Sequence, residues 1–316
     1  MKAKITLVFI SLVILFGGVT YYQYINEDDS AVLAARENLA AVMLESEIGS
    51  TRYQIFGEHN TATVVLVHSF NGYIETWNAN IDALVNAGYR VVAYDLFGRG
   101  LSDRPWTEYN LELFRDQLDS LIKHIGAKDV HIIGSSFGCV IATDYALHHP
   151  ENVQSLSLIG PAGWPASEGR NAALDTPVLG ELIFHYFGKQ LIRPTVEGYF
   201  IDQEKYSSAV EQWDRFASYP GFTRAALSIL RHSPVMDYSD GWRQLGKLNK
   251  PVVFIWGKQD ISFPFSHSEK LPELVPHATL IGIDGAAHWV NIEKATVVNQ
   301  ALISFLNTHT GQANWQ

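Results

Sequence analysis

The stretch HIIGSSFGCVIATDYALHHP, residues 131–150, decides how the remainder of the chain is read. Residues 130–133 form a short apolar run of strand type, and residues 137–147 read as a helix. Between them, Gly134-Ser135-Ser136-Phe137-Gly138 puts a serine on a sharp strand-to-helix turn. Side chains at the two glycine positions would collide with such a turn; glycines remove the collision and leave the Ser136 hydroxyl exposed. The helix that follows aims its first N–H groups at the same point, which suits a serine that must carry developing negative charge. In a chain with 24 glycines the pattern also arises by chance, so its meaning depends on its surroundings. A base, an orienting acid and oxyanion donors must lie where the chemistry needs them.

Composition bounds the answer. A chain of 316 residues with 47% hydrophobic content can bury a large core, and one α/β domain with an insertion fits better than two independent domains. The net charge of -10, from 23 basic and 33 acidic residues without a basic stripe, argues against nucleic acid as a partner. The single cysteine, Cys139, excludes an intrachain disulfide and reads as a small packed residue just inside the elbow helix. Twelve histidines are scattered without metal-ligand spacing, so neither a metal nor a cofactor is expected.

The amino terminus has a character of its own. Lys2 and Lys4 precede a nearly uninterrupted apolar run at 5–24 that ends in Tyr21, Tyr22 and Tyr24. Such a run is long enough to cross a bilayer core of about 30 Å with its tyrosines at the interface. Gly18 and Thr20 make a poor peptidase site, so a retained signal anchor over 1–24 is preferred to a cleaved signal peptide and a secreted product. The lysines before the run, against Glu27, Asp28 and Asp29 after it, orient the globular part to the non-cytoplasmic side. Residues 25–43 read as an Ala-rich helical linker, with a helix over 30–43 that serves as spacer or docking element and starts near Asp29 or Ser30.

Strand signals then appear at 44–48, 51–56 and 63–67, followed by a helix at 77–87, a strand at 90–94 and an amphipathic helix at 111–125. After the elbow come a strand at 155–159, an aromatic-rich region with helices at 179–192 and 210–217, strands at 252–256 and 279–283, and a closing helix at 292–306. This βαβ rhythm implies a mostly parallel central sheet flanked by helices. The core is expected over 44–165 and 248–310, with residues 166–247 inserted as a helical lid.

Ligands bind outside the carboxyl ends of parallel strands, so the loops there carry the chemistry. They hold His68-Ser69-Phe70-Asn71-Gly72, Ser136, Gly257-Lys258-Gln259-Asp260 and Asp284-Gly285-Ala286-Ala287-His288. With the order Ser136, Asp260, His288, the chain resembles the α/β-hydrolase family over about residues 45–308. The resemblance implies that Ser136 attacks, His288 takes its proton and Asp260 orients the imidazole. It also implies an oxyanion hole from the backbone N–H groups of Phe70 and Phe137. Three positions depart from the family pattern: Ser69 and Ala287 stand where glycine is usual, and Ser135 where histidine is usual.

The activity so implied is that of a serine esterase or lipase, similar to monoacylglycerol lipases, acting on an apolar small-molecule ester through an acyl-enzyme. Carbon–carbon bond hydrolases, amidases and cofactor-free haloperoxidases use the same triad, and a non-catalytic binding protein of this fold is the remaining alternative. Two competing features fall away. Gly98-Arg99-Gly100 follows a strand but lacks the third glycine and the helix of a dinucleotide site, and reads as a turn held by Asp103 and Arg104. Asp284 is a rival acid, but Asp260 ends its own strand and is preferred. His68 reads as a loop brace, and His124, His131, His148 and His149 as surface or core histidines.

Overall fold

The computed structural model describes residues 17–19, 22, 27–165 and 172–310. Among these, eight strands form one sheet: β1 (Met43–Leu44), β2 (Thr51–Phe56), β3 (Ala62–Val67), β4 (Tyr89–Tyr94), β5 (Val130–Ser135), β6 (Val153–Ile159), β7 (Val252–Gly257) and β8 (Thr279–Ile283). The spatial order is β1-β2-β4-β3-β5-β6-β7-β8, with β2 antiparallel to both its neighbours and every other pair parallel. The helices before the insertion are α1 (Ser30–Asn38), α2 (Asn78–Asn86), α3 (Leu111–His124) and α4 (Phe137–His148).

The central strands are apolar throughout because both faces are covered. Successive side chains of a strand point to opposite sides, so Val65 and Val67 join Phe114, Leu118 and Val140 of α3 and α4 in one core. Val64 and Leu66 join Ile81 and Leu84 of α2 in the other. Among the described residues, five helices separate β6 from β7: α5 (Ala172–Asp175), α6 (Leu179–Glu197), α7 (Ser207–Phe216), α8 (Phe222–His232) and α9 (Ser239–Leu245). After β7 come α10 (Leu271–Leu274), α11 (Val290–Glu293) and α12 (Ala295–His309).

Several element boundaries differ from the sequence expectation, three of them as follows. The strand expected at 44–48 is cut short because Ser46 Oγ bonds Gly49 O and accepts from the Ile48 and Gly49 N–H groups, closing a local turn. The helix expected at 30–43 stops at Asn38. Ala40 takes a φ of 45° while Ala41 N bonds Arg36 O and Ala40 N bonds Glu37 O, a helix-ending motif usually built on glycine. The closing helix expected at 292–306 is divided, with a turn at Val290–Glu293 before α12.

Of the two roles open to the N-terminal helix, the observed one is docking. Val32 and Ala35 are buried in the apolar cluster that also holds Trp213, Phe216 and Phe222 of the insertion. Arg36 donates to Asp103 Oδ1 at 2.5 Å and to Leu101 O at 2.8 Å. The anchor expected at 1–24 falls almost wholly outside the described residues; among those described, no helix is long and apolar enough to cross a membrane.

Two histidines buried in this framework set its response to acid. His131 on β5 bonds Ser155 Oγ of β6 at 2.7 Å, and burial pushes its pKa down to about 4. His68, just past β3, is pushed down to about 3 by burial. Both fold as neutral rings, whereas in the unfolded chain they take up protons below about pH 6.5. Their contribution is complete above that pH and is lost as pH falls toward 4 and 3, by about 2 kcal/mol each at about pH 5. Urea unfolding should lose stability between about pH 7.5 and pH 5, and His131→Asn should reduce that pH dependence by about 2 kcal/mol. An unchanged pH dependence in the variant would mean that His131 protonates freely in the folded protein.

Candidate active site

Ser136 sits between β5 and α4 with φ 54° and ψ -116°, a backbone conformation that costs a non-glycine residue about 1–3 kcal/mol. Its neighbours hold it there: Ser136 N donates to Ile159 O at 2.8 Å, and Ser136 O accepts from Cys139 N at 2.9 Å and Ala162 N at 3.2 Å. The two glycines of the pattern are required by contact. A Cβ on Gly138 would lie 2.1 Å from Val67 O, and one on Gly134 would lie 2.5 Å from Gly138 O. The helix therefore starts directly against the end of β3. Cys139 is packed beneath, its thiol on Gly134 O at 3.2 Å and its pKa pushed up by burial.

The loops after β7 and β8 are stitched to each other. Lys258 N bonds Ile283 O, Gln259 N bonds Ala286 O, and Gln259 Oε1 accepts from Ala286 N. Gly257 permits this approach, since a Cβ there would stand 2.2 Å from Ala287 O. Asp260 and His288 are thereby brought side by side. His288 Nδ1 lies 2.7 Å from Asp260 Oδ2, and Nε2 lies 2.9 Å from Ser136 Oγ. An ionised carboxylate only accepts, so Nδ1 carries the proton and Nε2 presents its lone pair to the serine hydroxyl. The other oxygen, Asp260 Oδ1, accepts from Ser262 N at 2.8 Å and Phe263 N at 3.0 Å, which fixes the acid in place.

The three residues expected from the sequence are therefore one hydrogen-bonded chain. The rival acid is elsewhere: Asp284 is exposed and pairs with Lys258 at 3.0 Å. One expectation is corrected. The Ser136 hydroxyl is not presented to open solvent, for Ser136 is 3%, Asp260 4% and His288 1% exposed. The insertion closes over them, with Tyr199 packed on the His288 ring at 4.6 Å.

The loop after β3 is braced on several sides. His68 Nδ1 bonds Ser69 O at 2.8 Å while Nε2 accepts from Leu96 N at 2.9 Å, so the neutral ring ties this loop to the one after β4. Gly72 N donates to the same Ser69 O at 2.8 Å. In a trans peptide the N–H points opposite the carbonyl, so holding Ser69 O aims the Phe70 N–H the other way. Neither Phe70 N nor Phe137 N has a hydrogen-bond acceptor among the described residues. Ser69, standing where glycine is usual, accepts from Trp289 Nε1 at 3.2 Å and so links this loop to the residue after His288. Ala287 keeps its N–H on Glu293 Oε2 at 2.7 Å, and Ser135 is the buried last residue of β5.

Two residues of consequence escaped the sequence reading. Asp95, fully buried at the end of β4, accepts from Ile74 N and Leu101 N at 2.8 Å and from Arg52 Nη1 at 3.2 Å. It shapes the turn together with the two residues expected to hold it: Gly98 N donates to Asp103 O at 2.8 Å and Arg104 bonds Gly100 O at 2.6 Å. Arg99 is 1% exposed and donates Nε to Phe70 O. Its guanidinium lies between the rings of Phe70 and Phe222, 4.6 Å from each, and burial pushes its pKa down to about 9. An arginine between two glycines reads as a turn residue, and no sequence signal marks it as a clamp on the Phe70 loop.

Comparison with known proteins agrees with this fold. The dihydrolipoyllysine-residue acetyltransferase component of an acetoin cleaving system from Pseudomonas putida is 28% identical over 266 residues, which span 81% of this chain and 66%, just under two thirds, of that protein. The 2-hydroxy-6-oxo-6-phenylhexa-2,4-dienoate hydrolase of Comamonas testosteroni is 26% identical over 253 residues, 77% of this chain and 87% of that protein. A bromoperoxidase from Bacillus anthracis has the same fold, with a TM-score of 0.71 at 24% identity over 84% of this chain and 99% of that chain. The family model described as alpha/beta hydrolase fold matches residues 62–295, well over half of the sequence, and the chain belongs to that family.

Proposed function

We propose that the chain is a serine hydrolase that cleaves carboxylic esters of apolar acyl groups and is held at a membrane by residues 1–24, its globular part on the non-cytoplasmic side. The observation that carries the reading is the continuous run from Ser136 Oγ through His288 to Asp260. His288 takes the hydroxyl proton on Nε2 as Ser136 attacks the ester carbonyl, and Asp260 stabilises the imidazolium through Nδ1–H. The oxyanion is received by the N–H groups of Phe70 and Phe137, preorganised by the bracing of Ser69 O and by the start of α4. Imidazolium protonates the departing alkoxide, and water activated by the same ring then hydrolyses the acyl-enzyme.

The apolar substrate class is inferred from what surrounds the triad. Tyr199, Trp289, Phe200, Phe222 and Ile192 belong to one buried cluster, and Phe70 packs against it. An acyl chain seated there would gain about 0.8 kcal/mol per buried CH₂.

A second reading keeps the triad and changes the bond. The likeness to a dienoate hydrolase of Comamonas testosteroni favours hydrolysis of a carbon–carbon bond beside a ketone. Turnover of a 2-hydroxy-6-oxo-dienoate at a rate exceeding that of every ester tried would establish this second reading instead of the first.

Ser136→Ala should abolish labelling by a fluorophosphonate probe, and Asp260→Asn should lower kcat by about four orders of magnitude through loss of tautomer control. Asp284→Asn should change kcat less than about twofold, since an exposed pair with Lys258 contributes little. Should Asp284→Asn prove the more damaging, the assignment of the acid fails. With p-nitrophenyl esters kept below their micelle concentration, kcat/KM should rise by up to about 15-fold for each added pair of acyl carbons, following the roughly 0.8 kcal/mol per CH₂. A preference for acetate over octanoate would leave a small-ester hydrolase.

A further inference from the structure

The helix α6 carries two apolar rows. Gly180, Phe184, Gly188, Ile192 and Val196 recur every four residues on the inner side and are buried. Gly188 brings this side close to α8, for a Cβ there would lie 2.9 Å from Thr223 Cγ2. Leu179, Phe187 and Leu191 lie on a second row of the same spacing, whose remaining member, Ile183, packs against the buried cluster. Leu179 is 45%, Phe187 59% and Leu191 53% exposed. An amphipathic helix of a soluble domain shows its polar side to water, so the outer row calls for a partner.

The path of the chain says which partner. Glu27 is fixed to the insertion: its Oε2 accepts from Arg224 Nη2 at 2.7 Å and Nε at 3.1 Å, on α8. Glu27 and Asp28 line one groove with Tyr186, Lys189 and Gln190 of α6. The apolar run at 5–24 ends three residues before Glu27. Three extended residues reach about 10 Å at most, so the chain links the run to Glu27 and its groove by no more than that. A bilayer entered by residues 5–24 would therefore lie within reach of α6.

We infer that the exposed residues of this second row of α6, Leu179, Phe187 and Leu191, are a docking surface for a zwitterionic bilayer, seated in the interface beside the anchor. The inference deepens the membrane-held reading of residues 1–24 and rests on it. The charges nearby select the lipid chemistry. Lys189 and Arg193 both pair with Asp214, Arg193 also with Glu197, and the chain carries a net charge of -10. Docking therefore depends on apolar insertion, not on anionic headgroups. The buried row of the same helix belongs to the cluster that contains Tyr199, the residue packed on His288, so this orientation sets the covering of the site on the lipid surface.

The test uses the full chain in phosphatidylcholine vesicles, with an environment-sensitive nitrobenzoxadiazole dye on Phe187→Cys and, separately, on Leu191→Cys. Cys139 is fully buried and does not compete for the dye. Lys128→Cys, exposed just before β5, is the water-facing control, and circular dichroism shows that each variant is folded. Emission from positions 187 and 191 should shift to the blue and lose intensity to nitroxide-bearing lipids, while position 128 does neither. A chain that floats with the vesicles while position 187 stays in water overturns the docking surface and leaves the anchor standing. A chain that fails to float overturns the anchor and the docking together. A blue shift without loss of intensity to the nitroxide lipids would assign the row to a second copy of the chain instead.

Discussion

There is no room for a methyl group between Gly138 and the carbonyl of Val67, and the arrangement of the site depends on that closeness. It brings the first turn of α4 against the end of β3, so the Phe137 N–H and the loop at 68–72 lie on the same side of Ser136. It also holds Ser136 at a positive φ that an isolated peptide would abandon. The strain is carried by packing: β5 is buried along its whole length, and Ile159 and Ala162 of the next crossing hold the serine peptide from both sides. The nucleophile's geometry belongs to three strands at once.

A second constraint follows from burying charge beside that elbow. Arg99 has no carboxylate partner among the described residues; it is met by two carbonyls and two aromatic faces. Such a group is costly in a dry interior, and it holds together two parts that would otherwise be independent, the Phe70 loop and the start of α8. Asp95 does the corresponding work from the opposite side, where one carboxylate serves two backbone N–H groups and Arg52. The loop after β4 thus acts as a polar keystone between sheet, Phe70 loop and insertion.

How much of this was legible in the sequence varies with the range of the interaction. The order of the triad could be read because each member follows a strand whose apolar run is unmistakable, and the acid was separable from Asp284 by its place at a strand end. The elbow glycines could be read because their role is steric and local. The end of α1 could not, since Ala40 stands in a left-handed position where glycine is the usual signal. The strand expected at 44–48 lost residues to a hydroxyl-centred turn that propensities do not weigh. Arg99 and Asp95 were hidden for a different reason: their partners lie far along the chain. Nor could spacing reveal that the serine is shut away, because the cover comes from Tyr199 and its neighbours in a region without regular rhythm.

The docking of α1 has a thermodynamic consequence. A helix of nine residues is too short to persist alone in water, so Val32 and Ala35 keep their conformation only while the cluster beneath them is intact. That cluster is the roof of the site, built from α6, α7 and α8. Opening the roof therefore withdraws packing from α1, whose Arg36 stays tied to Leu101 and Asp103, and detaching α1 loosens the roof. Though far apart in sequence, the two are coupled through this cluster, and the free energy needed to uncover Ser136 includes the packing that α1 would lose.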